Sequence, residues 1–118
     1  MPHSRLRVAS DPALALVVRI FVGAVAEGWN VPEARRDDLR LAASELFSGA
    51  VEAGEGDFVT FEVSSDARGL ELRAEGMHAR AVDPADLEGW TGRFDLIRAL
   101  FPDAEIGDTV RIQVPVSA

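Results

Sequence analysis

The side chain best placed to do chemistry is Glu45, within the run Leu41-Ala42-Ala43-Ser44-Glu45-Leu46-Phe47-Ser48-Gly49-Ala50-Val51. A carboxylate held on a helix can act as a general base toward water or a hydroxyl. A helper on the same helix must come from positions three or four along, because those stack on one stripe. Four residues after Glu45 stands Gly49, which brings no side chain. The plainer reading of Glu45 is a solvated charge at a helix edge, or a partner for an arginine such as Arg40. That plainer reading is preferred. Other reactive groups are scarce. There is no cysteine, which excludes disulfides, thiol catalysis and cysteine-based metal sites. The two histidines are His3, near the terminus, and His78, in an expected solvated loop, so no metal centre is expected.

Composition narrows the classes further. With 118 residues the chain has room for one domain, spanning 1–118, and one core. At 47% hydrophobic and 27% charged residues it reads as globular rather than disordered. The formal net charge is −8, and all twelve basic residues are arginine. Such a surface repels phosphate backbones, so direct nucleic-acid binding is not expected. The most apolar stretch, Pro12 to Ala26, is too short to span a bilayer and carries Arg19, so no membrane span is expected. The opening Met-Pro-His-Ser-Arg does not read as a signal peptide, which makes a cytoplasmic protein the expectation.

These residues need elements to position them. Leu6 and Val8 alternate with Arg5 and Arg7, as in a strand with one wet face. Ser10-Asp11-Pro12 then predicts a helix start. The helix, from about Pro12 to Glu27, carries Leu14, Val17, Val18, Phe21, Val22 and Val25 on one stripe, with Leu16 and Ile20 on another. A helix this apolar around its girth needs more than one burial partner. It is either a central core helix or one whose second face meets another chain. A second helix is predicted over Glu33 to Ala53. Val59, Phe61 and Val63, a turn at Ser65 to Gly69, then Leu70 and Leu72 predict a hairpin. Gly76 to Gly89 is irregular, with a single turn after Asp83-Pro84. Trp90, Phe94, Ile97 and Phe101 mark a third helix that Pro102 stops, and Thr109 to Val116 alternates as a last strand. Every strand has one apolar face. The expected fold is therefore α+β: a two-layer sandwich whose mixed, mostly antiparallel sheet has helices on one side.

On this element order, Leu41 to Val51 resembles the N-box helix of the GHKL (histidine kinase-like) ATPase superfamily. The likeness is closest to its small members, the RsbW-type anti-sigma factor serine kinases. Phe94-Asp95-Leu96-Ile97-Arg98-Ala99-Leu100 and Asp108-Thr109-Val110-Arg111-Ile112 resemble the last helix and strand of the same group. The resemblance covers essentially the whole chain and implies a Bergerat-like fold.

It also implies where a nucleotide would sit. Glu45 fits the glutamate that activates the attacking hydroxyl, but the magnesium-holding asparagine four residues on is here Gly49. The family's Asp-x-Gly-x-Gly corresponds to Ala74-Glu75-Gly76-Met77-His78. The adenine-binding aspartate is thus Ala74, and only Gly76 is kept. The Gly-x-Gly-Leu phosphate cradle corresponds to Thr91-Gly92-Arg93-Phe94, where a register shift could rescue Gly92. Thr91 reads as a helix cap and Arg93 as a solvated first-turn arginine. Of the family's late Gly-Thr pair, Thr109 remains. Losing the metal ligand, the adenine acceptor and the glycine cradle together costs several kcal/mol of binding.

The resemblance therefore implies a regulatory protein-binding module resembling an anti-sigma factor, without ATP binding or kinase activity and with no cofactor. Its implied partners are a sigma factor or an anti-sigma antagonist, and a second copy of the chain through the Pro12 to Ala26 helix. The alternative is an active ATP- and magnesium-dependent serine kinase using Glu45 as general base. A purely structural domain acting through dimerisation is a third reading.

Overall fold

The computed structural model describes residues 3–53, 56–67, 69–75, 93–107 and 109–115. Strand β1 spans His3–Ala9, helix α1 Ala15–Gly28 and helix α2 Glu33–Ala53. Strands β2, Phe58–Asp66, and β3, Gly69–Ala74, follow. A helix over residues 93–100, here α3, precedes strand β4, Val110–Pro115.

Local chemistry accounts for the boundaries. Asp11 accepts a hydrogen bond from the Ala13 N–H at 2.9 Å, and Pro12 opens a short 3-10 turn, Pro12–Leu14, that runs into α1. Asn30, at φ 59°, turns the chain after α1, and Val31 drops into the core beside it. Glu33 places an acidic side chain in the first turn of α2, where the helix dipole favours it.

The sheet order is β1-β2-β3-β4, and every neighbouring pair is antiparallel. Alternation sends Val8, Val59, Phe61, Val63, Leu70, Leu72, Ala74, Val110, Ile112 and Val114 to one face, all buried. Against it pack Val18 and Val22 of α1, Leu39, Leu46, Phe47 and Ala50 of α2, and Ile97 of α3. The opposite face carries Arg5, Arg7, Glu62, Glu71, Arg73, Arg111 and Gln113. This is the α+β sandwich with helices on one side that the alternation predicts. None of the described helices is long and apolar enough to cross a membrane.

Arginines fasten α2 to both neighbours. Toward α1, Arg36 lies 3.7 Å from Glu27, and the Arg40 guanidinium lies against Gly23, where a Cβ would collide with it. Toward α3, Arg35 donates to the Leu100 carbonyl at 3.1 Å and stacks over the Phe101 ring at 4.3 Å. Both neighbours run antiparallel to α2, as the pairing of early with late residues requires.

Two sequence expectations are corrected. Val17 does not belong to the core stripe of α1. It is 42% exposed and lies with Leu16 (58%) and Ile20 (60%) on the outer side. The buried stripe is Val18, Val22, Gly23 and Ala26. Nor does the hairpin turn begin at Ser65. Strand β2 continues to Asp66, which pairs with Gly69, and Ser65 is buried on the core face. The Asp66 carboxylate accepts the Gly69 N–H at 3.3 Å, so the turn starts two residues later than the residue types suggest.

Candidate functional site

Glu45, Gly49 and Glu52 lie at intervals of four and three along α2, hence on one stripe. That stripe faces the start of the described part of α3. There Arg93 donates to Glu45 Oε2 at 2.6 Å through Nη1, and its Nη2 lies 2.8 Å from Glu52 Oε2. One planar guanidinium thus bridges two carboxylates seven residues apart. Gly49 lies between them and is buried.

The arrangement is partly desolvated. The Arg93 side chain is 19% exposed, Glu45 30% and Glu52 69%. Burial by itself would lower the pKa of Arg93. The hydrogen bond and charge of Glu52, and then those of Glu45, outweigh it and hold the guanidinium above its ordinary value. Stability that rests on a raised pKa is present below the unfolded value and lost only as pH climbs through the folded one. The guanidinium therefore stays charged through the whole working range.

This geometry corrects two expectations. The arginine paired with Glu45 is Arg93, whereas Arg40 pairs with Asp37 one turn before it. Arg93 itself is not solvated but held between helices. The residue that sequence reasoning passed over is Glu52, although its seven-residue spacing from Glu45 was there to be read.

The other expected positions divide. Ala74 ends β3 wholly inside the core, where a methyl group offers adenine no acceptor. Glu75 follows on the opposite face, exposed, its N–H bonded to the Thr60 carbonyl at 3.1 Å. Thr109 is half-buried and directly precedes Val110, the cross-strand partner of Ala74, so those two positions do meet at one sheet end. Phe94 is half-buried against the core. Gly76, His78, Asp83-Pro84, Trp90, Thr91, Gly92, Asp108 and Val116 lie outside the described residues. A cavity of about 430 Å³ opens at the other sheet end, lined by Ser65, Asp66, Glu71, Asp103 and Gln113 among others, and contains none of the expected site residues. Among the described residues, no three His, Cys, Asp or Glu side chains gather as a metal site would require.

No protein-family model matches the chain, and no curated protein matches it in sequence.

In that geometry the Glu45 carboxylate is engaged. A general base must be free to take a proton from its substrate. Glu45 instead accepts a 2.6 Å hydrogen bond from the Arg93 guanidinium. The arrangement joins α2 to α3.

Proposed function

We propose that this chain is a regulatory, protein-binding module resembling an anti-sigma factor, in which ATP binding and kinase activity have been lost. The observation that carries the reading is the Arg93 bridge to Glu45 and Glu52. In the resemblance, this stripe of α2 would hold a catalytic carboxylate free and a magnesium ion beside it. Here a resident cation neutralises the carboxylate, and Gly49 supplies no metal ligand. The buried Ala74 methyl, where an adenine acceptor would stand, argues the same way.

The reading implies work by contact. Its proposed partners are a sigma factor or an antagonist of the anti-sigma type, met in the cytoplasm by a chain of net charge −8 that suits a basic surface. The row Leu16, Val17 and Ile20 stands exposed on α1 and supports a second copy of the chain as a further partner. Calorimetric titration with ATP and magnesium tests the reading. No heat of binding is expected, and micromolar binding would overturn it.

A further inference from the structure

The two edges of the sheet differ. On the outer edge of β4 the Glu105 N–H donates to the Arg111 carbonyl and the Arg111 N–H to the Glu105 carbonyl, both at 2.9 Å. That edge is occupied at Arg111. Among the described residues, nothing pairs with the outer edge of β1.

The groups left free there follow from the ladder. Ser10 N–H donates to the Asp57 carbonyl at 2.8 Å, so Ser10 and Asp57 form a hydrogen-bonded pair. Bonded pairs alternate along an antiparallel ladder, so Ser4, Leu6 and Val8 also bond toward β2. The backbone N–H and C=O groups of His3, Arg5 and Arg7 point away from the sheet, as does the Ala9 N–H, while the Ala9 carbonyl accepts the Asp11 N–H at 2.8 Å. On the open face, Arg7 stacks on Phe58 at 4.0 Å and meets no carboxylate among the described residues. Arg5 approaches Glu62 only to 3.6 Å. On the core face Leu6 is half-buried, so the apolar layer is unfinished at this edge.

A second copy of β1 is a poor occupant. Two-fold antiparallel pairing through residues 3, 5, 7 and 9 sets Arg5 against Arg7, Arg5 against Arg5, or Arg7 against Arg7, in each register that pairs the strands along most of their length. Like charges directly opposite destabilise such a pair. Edge arginines guard against self-pairing in this way, and the same charges select an occupant of opposite sign.

We infer that the outer edge of β1 is a strand-addition site for an extended segment of another protein in which acidic residues alternate with apolar ones. The free backbone groups of His3, Arg5 and Arg7, with the Ala9 N–H, pair with that segment. Arg5 and Arg7 face its carboxylates, and its apolar side chains cover Leu6. The inference is independent of the reading of the Glu45 stripe, and nucleotide binding there would leave it untouched.

The test uses the full chain and synthetic peptides of roughly nine residues, long enough to cover an edge strand. One alternates glutamate with valine, one alternates lysine with valine, and one repeats the glutamate sequence with N-methylated amides on its pairing side. Backbone amide exchange is followed by NMR. The glutamate peptide is expected to bind saturably and to slow exchange of the Arg5 and Arg7 amides. The lysine peptide should bind about tenfold more weakly or worse, since two cross-strand pairs turn from attractive to repulsive. The N-methylated peptide should not bind, and Arg5→Glu with Arg7→Glu should reverse the preference. Absence of protection at Arg5 and Arg7, or equal affinity for the lysine peptide, overturns the proposal without reference to any variant. So does protection that is present without peptide and grows with protein concentration, because that would place a second copy on the edge.

Discussion

Arg93 Nη1 lies 2.6 Å from Glu45 Oε2, across 48 positions of sequence, and joins the start of the described part of α3 to the middle of α2. The same guanidinium holds Glu52 at 2.8 Å. A glutamate that the sequence offers as a general base thereby takes part in the contact between two helices.

A double-mutant cycle measures that contact. Arg93→Ala and Glu45→Ala should each lower stability, with a coupling of about 1 kcal/mol, the upper range for pairs still partly in water. Glu52→Ala should couple to Arg93 more weakly, because Glu52 is mostly exposed. Urea unfolding of the four proteins in each cycle gives both numbers. Additive effects at Glu45 and Arg93 would show that the bridge contributes nothing.

Arg35 holds the other end of α3. It donates to Asp38 at 2.8 Å and to the Leu100 carbonyl at 3.1 Å, and it lies over the Phe101 ring. Arg35→Lys keeps the charge but loses the planar fork that serves carboxylate, carbonyl and ring together. It should cost about 1 kcal/mol, close to the effect of Arg35→Ala. Thermal melts of both variants check this, and a lysine variant as stable as the wild type would refute it.

The sequence announced some of this and hid the rest for physical reasons. The range of α2, Glu33–Ala53, was legible because a helical period repeats over several turns between breakers. Each strand was legible through its alternation. The facing of α1 was legible except at Val17, which borders both apolar stripes and fell to the wrong one. The end of β2 was hidden because Ser65 and Asp66 are turn formers by type, while their register against β3 is a pairing property. In the site, the places of Gly49 on α2 and of Ala74 at the end of β3 were legible. The Arg93 bridge was not, since nothing local to residue 93 identifies a partner on another helix.

Gly69 tests the hairpin closure. Its φ of 154° suits glycine, and a Cβ there would collide with the carbonyl of Val114 and crowd Pro115 on β4. The obstructing atoms are backbone and cannot swing aside. Gly69→Ala should therefore destabilise the fold by about 1–3 kcal/mol. The denaturation midpoint reads it directly. An unchanged midpoint would mean that β3 and β4 do not pair as closely as Gly69 opposite Pro115 requires.

The outer row of α1 separates folding from association. Leu16 and Ile20 are 58% and 60% exposed, so replacing both by serine removes little buried area and should change stability by no more than about 0.5 kcal/mol. If the row carries a second copy of the chain, sedimentation should show the wild type as a dimer and Leu16→Ser with Ile20→Ser as a monomer. The contrasting control is Val22→Ala on the buried stripe, which should cost about 1–3 kcal/mol by opening a cavity. A wild type that stays monomeric at every concentration would remove the second copy from the partners of α1.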